Sequence, residues 1–460
     1  VSAYAAEALS NRGIQNISEI AQSAPSVTIE PSRATNSTLT AFIRGVGQQD
    51  PLAGFEPGVA LYVDDVYMAR PQGALLDVYD VERIEILRGP QGTLYGRNAV
   101  GGAIKYVTAR IGDEPSMDMR LSVGTYGQID AVVKANAPIT DSIRLSIAGA
   151  TLNRNGYGEN FTTGRDNYNK KVMALRGTLE LLPTDGLFIR ISGDYTFDKS
   201  NPVAGWRPFP GRISGTPVTA DVYDTYAGAA TNASTRGIGG RNQVEAGGVY
   251  GLIELEASDN ITLKSITAWR KDDTSSVIDF DSLAVDDFDA PVVYNNEQIS
   301  QELQLLYQSD RLNGVIGFYY LDAKASNDFD VVLGQLGRIA FGAPLTAYTG
   351  GSVNTKAWSA FADLTYDLTD QFSVTVGGRY TNDKRSADIF RANYLGIGSP
   401  FFGNSSAIFL GATSDYQASR TFKNFSPRAV IAFEPNDNLN LYASWSRGFK
   451  AGSFDPRGAN

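Results

Sequence analysis

The chain has 460 residues, a net charge of −10, 42% hydrophobic and 11% aromatic residues, and neither cysteine nor histidine. Its length fits two domains or one large closed β structure, and its acidic balance argues against a nucleic-acid partner. The missing side chains exclude disulfides and thiolate sites, Ser-His-Asp and Cys-His nucleophiles, imidazole zinc sites and histidine-ligated haem, so neither a cofactor nor a metal is expected.

In chain order, Tyr4–Asn11 reads as a short helix ended by Gly13. Asn16-Ile17-Ser18-Glu19 resembles a variant capping box whose helix turns Ile17, Ile20 and Ala21 inward and closes at Pro25. Short strands are predicted at Val27–Ile29, Leu39–Arg44, Val59–Val63, Arg83–Leu87 and Ala103–Val107, with Asp64-Asp65 in a hairpin turn. Gly89, Gly92, Gly96, Gly101 and Gly102 punctuate the segment between the last two strands. Two loops carry turn chemistry: Gly47–Pro57, with Gln48, Gln49, Asp50, Phe55 and Glu56, and Met68–Gly73, with Arg70 and Gln72. Residues 1–110 therefore read as a small α+β domain with many loops.

Residues 111–460 read as long β-hairpins. Phe372, Val374, Val376, Gly378 and Tyr380 alternate with Ser373, Thr375, Gly377, Arg379 and Thr381, and the segment from Leu439 to Ser446 alternates in the same way. An apolar face with aromatic ends opposite a small or polar face is the dyad of a transmembrane barrel, with lipid outside and water inside. No apolar run approaches the roughly 20 residues of a membrane-spanning helix, a test that such barrels escape. Short turns at 138–142, 183–186, 258–260, 309–313, 368–371 and 435–438 alternate with long polar loops at about 154–170, 198–243, 271–296, 325–354 and 383–422. That alternation describes an outer-membrane barrel with its long loops outside the cell. About thirteen strands are counted, and Arg447–Asn460 reads as the opening of another outer loop. Because single-chain bacterial barrels usually have an even strand number, the chain is expected to be truncated at its C-terminus. No signal peptide is visible at Val1.

Ala41-Phe42-Ile43-Arg44-Gly45-Val46, Leu61-Tyr62-Val63-Asp64-Asp65-Val66-Tyr67, Val81-Glu82-Arg83-Ile84-Glu85, Leu87-Arg88-Gly89-Pro90-Gln91-Gly92 and Tyr95-Gly96 follow one another in order. Together they resemble the plug of TonB-dependent outer-membrane transporters. The resemblance implies a plug inside a transmembrane antiparallel β-barrel of about 22 strands, sited in the outer membrane of a Gram-negative bacterium. It also implies capture of a scarce nutrient outside the cell, and plug movement driven by TonB and its inner-membrane proton-motive-force complex. Outer-membrane lipid and lipopolysaccharide are the implied surroundings. Neither a TonB box before Val1 nor a C-terminal strand with a final aromatic is present in the sequence.

In the family, plug arginines of the IRG and LRGP motifs meet barrel-wall glutamates, which makes Arg44 and Arg88 candidates for a plug–barrel latch. Glu302 is the candidate partner, because Ser300, Glu302 and Gln304 share the face opposite Leu303 and Leu305. The resemblance further implies that Gln48, Gln49, Asp50, Phe55, Glu56, Arg70 and Gln72 form the floor of a substrate cavity. Trp206, Phe209, Tyr394, Phe401 and Phe402 in the outer loops are candidate contacts from above, although rim aromatics also build the interfacial girdle. Asp279, Asp281, Asp286, Asp287 and Asp289 lack the glycine and final glutamate of an EF-hand and read as a solvated loop. The expected cargo is a ferric siderophore, with a glycan, an aromatic compound or cobalamin as alternatives. A passive porin-like barrel and an outer-membrane hydrolase are the rival readings. No enzyme activity is expected.

Overall fold

The computed structural model describes residues 2–14, 16–32, 35, 37–74, 79–203, 205–212, 214–228, 242–436 and 438–458. Strands β1 (Ser2–Ala5), β2 (Val27–Pro31), β3 (Leu39–Ile43), β4 (Val46–Gln48), β5 (Val59–Val63), β6 (Val66–Met68), β7 (Arg83–Arg88) and β8 (Gly102–Val107) form two small sheets. One has the order β1-β7-β8-β5-β6, with β5 parallel to β8, and the other the order β2-β3-β4. Ile43, Ile84, Ile86 and Ile104 meet Leu9, Ile17 and Ile20 in one buried core.

Local chemistry sets the boundaries. Asn16 accepts from the Ser18 amide at 2.9 Å and donates to Glu19 at 3.0 Å, so the capping box forms, but it caps a 3₁₀ helix over Ile17–Ser23. Helix α1 covers only Ala6–Asn11, because Ser2–Ala5 pairs with β7, and sheet pairing overrides the local helix signal. β3 ends at Ile43 rather than Arg44. Arg44 and Gly45 have φ of 53° and 77° and make the two-residue turn into β4. Asp64 and Asp65, at φ 47° and 68°, make the matching turn between β5 and β6.

The remaining strands are β9 (Ser116–Gly124), β10 (Gln128–Thr140), β11 (Ile143–Arg154), the loop hairpin β12 (Gly158–Asn160) and β13 (Arg165–Asn167), β14 (Lys170–Thr184), β15 (Leu187–Asp198), β16 (Gln243–Ser258), β17 (Ile261–Asp279), β18 (Phe288–Gln308), β19 (Leu312–Leu333), β20 (Leu345–Thr369), β21 (Phe372–Leu395), β22 (Ile408–Asn436) and β23 (Leu439–Ser446). Without β12 and β13 they make one thirteen-stranded antiparallel sheet in strict chain order. Its outermost strands, β9 and β23, are not paired with each other among the described residues, so the wall is an unclosed sheet. Among the described residues no helix is long and apolar enough to cross a membrane, and the wall carries the transmembrane pattern in its strands instead. On β21, Val376 and Tyr380 face out and exposed, whereas Thr375, Arg379 and Thr381 are buried against the plug.

Three of the expected outer loops are shorter than the sequence suggests. β17 and β18 pair as far as Asp279 and Asp289, β19 and β20 as far as Leu333 and Leu345, and β21 and β22 as far as Leu395 and Ile408. Beyond the lipid both faces of a strand can be polar, so the alternation disappears while the backbone ladder continues. Helix α2 (Gly334–Phe341) fills the turn between β19 and β20. Residues 447–458 do not lead away as an outer loop but lie against the plug. Asn98 donates to the Phe449 carbonyl at 2.9 Å, and Arg457 pairs with Asp50 at 2.9 Å.

Candidate functional site

The plug meets the wall at two groups of charges. The upper group joins Glu56, from the loop between β4 and β5, and Arg97, from the glycine-rich turn after β7, to Asp383 and Arg385 on β21. Asp383 and Arg385 are two residues apart and therefore share the plug-facing side of their strand. Arg97 Nη2 lies 2.6 Å from Glu56 Oε1 and 3.1 Å from Asp383 Oδ2. Arg385 Nη2 lies 2.6 Å from Glu56 Oε2, and its Nε lies 3.3 Å from Asp383 Oδ1. Each arginine thus serves both carboxylates. Asn98, in the left-handed region at φ 63°, donates to Glu56 and also to the Tyr67 hydroxyl at 2.9 Å. No side chain of this quartet is more than 9% exposed. Burial pushes the Glu56 carboxyl up, but Arg385, Arg97 and Asn98 outweigh it and hold it at about 2.

The lower group lies nearer the short-turn rim. Asp65, in the β5–β6 turn, takes Lys105 of β8 at 2.5 Å and Lys264 of β17 at 2.8 Å. Burial raises its carboxyl, and the two ammonium groups overcome that and hold it at about 2. Its neighbour Asp64 accepts from the Thr108 amide at 2.7 Å and from the Tyr250 hydroxyl of β16 at 3.0 Å. Asp80–Lys134 at 2.6 Å and Arg110–Glu254 at 2.9 Å add further ties between plug and wall segments. Uncharged contacts complete the seat: the Ala53 amide donates to Asn327, and the Ala69 amide to Gln298, both at 2.9 Å.

The three residues expected to form the latch are not brought together. Arg88 donates to Ser2 Oγ at 2.8 Å and to the Pro25 carbonyl at 3.2 Å, which ties β7 to the plug's own N-terminal part. Arg44 is exposed in its turn and forms no ion pair among the described residues. Glu302 does face the plug, where Gln304 donates to it at 2.6 Å.

The expected cavity floor divides in the same way. Arg70 donates to the carbonyls of Phe55 at 2.8 Å, Leu52 at 3.1 Å and Pro51, and Gln72 donates to Pro51 at 3.0 Å. Both are buried and brace a loop whose carbonyls have no strand partners. Glu56 belongs to the ion-pair quartet. Gln48 accepts from the Asp50 amide at 3.1 Å, Gln49 is exposed, Asp50 pairs with Arg457, and half-buried Phe55 packs with Leu52, Val292, Tyr294 and Phe329.

Of the outer aromatics, Trp206, Phe209 and Phe401 are exposed. Tyr394 and Phe402 are buried together with Tyr348 and Ala392. Because Asp383 and Arg385 point to the plug and the β20–β21 ladder runs on without a shift from there to Leu395, Tyr394 lies on the opposite, outward face. The loop after β21 folds back over that face, with Phe401 stacked on Tyr348 at 4.0 Å and Ser399 donating to Asp330 at 2.7 Å. In the acidic loop, Asp279, Asp281 and Asp289 place carboxylate oxygens within 4.8 Å of one another. Asp279 and Asp281 accept backbone amides there, and burial, reinforced by Asp279, raises the Asp281 carboxyl to about 7.

Residues 1–103 match the TonB-dependent receptor plug domain, and residues 175–460 match the TonB-dependent receptor-like β-barrel. The chain belongs to the TonB-dependent receptor family, which comprises transport receptors and not enzymes. It is 26% identical over 410 residues to the pesticin receptor of Yersinia enterocolitica, covering 85% of this chain and 54% of that protein. It is 27% identical over 183 residues to an iron-regulated outer membrane virulence protein of Vibrio cholerae, covering 35% of this chain and 26% of that protein. The chain thus spans about half the length, or less, of these curated relatives. Among solved structures, the ferric yersiniabactin uptake receptor FyuA of Yersinia pestis superposes with a TM-score of 0.74 at 20% identity, over 96% of this chain and 63% of that one. The siderophore receptor PiuA of Acinetobacter baumannii gives 0.73 at 13% identity, over 97% and 64%. These two structures share the fold.

Proposed function

We propose that the protein imports a ferric siderophore across the outer membrane of a Gram-negative bacterium, with TonB and its proton-motive-force complex moving the plug. The observation that carries this reading is the quartet of Glu56, Arg97, Asp383 and Arg385. It joins plug to wall through side chains alone, so the plug can leave its seat without breaking a strand ladder. Cargo binds over the plug loop at Gln48, Gln49, Asp50 and Phe55, with Trp206 and Phe209 reaching it from the outer loops, whereas Phe401 is held on the outward face of the wall. Glu56, Arg70 and Gln72 act beneath that surface by holding the loop. The names of the similar proteins, a pesticin receptor and receptors for ferric yersiniabactin and siderophores, support a ferric chelate as cargo.

The test is uptake of a radiolabelled ferric siderophore by iron-limited cells expressing the full-length protein, with and without TonB. Uptake that disappears without TonB supports the reading. TonB-dependent entry of a glycan, an aromatic compound or cobalamin in place of iron replaces the cargo and keeps the mechanism. Passage indifferent to TonB makes the molecule a passive pore.

A further inference from the structure

Between the plug and the wall, bordered by Arg97 of the upper group and Asp65 of the lower, lies a cavity of about 260 Å³. Four cations line it, Arg97 and Lys105 from the plug and Lys264 and Arg379 from the wall, against two carboxylates, Asp65 and Glu302. The carboxylates are already engaged, Asp65 by both lysines and Glu302 by Gln304. The arginines are only partly so. Arg97 uses Nη2 for Glu56 and Asp383, while its buried Nε and Nη1 meet no acceptor among the described residues. Arg379 gives Nη1 to the Leu94 carbonyl at 3.2 Å, and its buried Nε meets no acceptor among the described residues. The buried hydroxyl of Tyr319, on the neighbouring wall, has no hydrogen-bond partner among the described residues either. The turn that carries Arg97 crosses Arg379 at Gly96, whose φ is 76°. A Cβ there would lie 2.7 Å from the guanidinium carbon, so glycine lets the two arginines border one space.

Buried N–H and O–H groups are costly without acceptors, and a guanidinium is the side chain best shaped to hold an oxyanion. We propose that this cavity is an anion site, in which Arg97, Arg379 and Tyr319 bind a small oxyanion of the carboxylate or phosphate type. The space holds such a group together with several waters. The site is built from residues away from the apical loop and does not depend on which cargo the protein carries. Its occupant is either a free inorganic anion or an acidic group of a passing molecule, two sources with the same chemistry.

The test uses the purified full-length protein in detergent. Inorganic phosphate and acetate are titrated calorimetrically, and crystals soaked in selenate are examined for anomalous signal. Selenate within hydrogen-bond distance of Arg97, Arg379 and Tyr319 is expected, with saturable phosphate binding. Arg379→Gln weakens that binding by roughly tenfold or more, and Tyr319→Phe, which keeps the ring in place, by several-fold. Glu302→Gln removes a competing negative charge and tightens it, a change of opposite sign that a merely structural role would not produce. Phosphate bound without acetate supports a free tetrahedral anion, and both bound supports a site that also receives a molecule's carboxylate. A cavity holding water alone in selenate, or three variants that titrate like the parent, overturns the proposal. None of these readouts requires transport, so a failed uptake assay leaves it standing.

Discussion

The upper and lower ion-pair groups join the same two bodies with the same chemistry at different depths. In the upper group two arginines share two carboxylates with almost no solvent contact. In the lower group two lysines converge on Asp65, which remains 31% exposed. A guanidinium fork fixes geometry and stays charged when dry, whereas an ammonium on a flexible stem is a hydrated point charge. Breaking one partner of a dry pair strands a charge, but breaking a wet one returns it to water. The upper group is therefore the rigid fastening, and the lower one is adjustable by solution conditions.

Acid should abolish the difference, because it removes both groups at once. The Glu56 carboxyl is depressed from 4.5 and that of Asp65 from 3.8, each to about 2. A depressed acid contributes its full stability above its ordinary value and loses it as pH falls from there through its folded value. Hydrogen exchange at residues 54–58 and 64–66 should thus stay slow down to about pH 5 and quicken only below that. Loss of protection near pH 6 would contradict the assignment.

Next in size, Arg385→Met leaves Glu56 and Asp383 with Arg97 alone and should weaken the upper seat by roughly 3–5 kcal/mol. Faster exchange at residues 96–99, with the wall strands unchanged, is the expected signature. Lys264→Met should cost no more than about 1 kcal/mol, since Lys105 still faces Asp65 and the site is partly wet. The smallest effect is that of salt. Raising ionic strength from about 0.1 M to 1 M shortens the screening length from about 10 Å to 3 Å. That should erase the Lys264→Met difference and leave the Arg385→Met difference intact. Equal salt sensitivity in the two would mean that the upper and lower groups are equally wet.

The sequence shows the wall more clearly than the seat. Period-two alternation places Val376 and Tyr380 outward and Thr375 and Arg379 inward, and it turns Glu302 toward the plug, because one face of each strand meets lipid. Above the lipid that selection ends, which is why β17 to β21 run further than their side chains indicate. The seat is less legible for a different reason. Arg44 and Arg88 stand in conspicuous motifs, yet local geometry takes one into a two-residue turn and the other onto Ser2 and Pro25. Arg97 and Glu56 find partners on β21, far along the chain, and nothing local in either segment encodes that meeting. Asp383-Lys384-Arg385 does carry a weak signal, two opposite charges on one inward face, but it does not stand out among other charged strand segments. Likewise Asp65 reads as a turn former, which it is, while its second role depends on Lys264 arriving from another strand.

The alternation on β21 also gives the wall something like a reading frame of two residues. Deleting one residue below Asp383 would turn Asp383 and Arg385 outward and bring Lys384 inward, so Glu56 would face the wrong side of the strand. Deleting two would preserve every face and merely lower the fastening by one pair of rungs. Length changes within this wall are therefore tolerable in even steps, and odd ones are confined to the tips, where no face has to be kept.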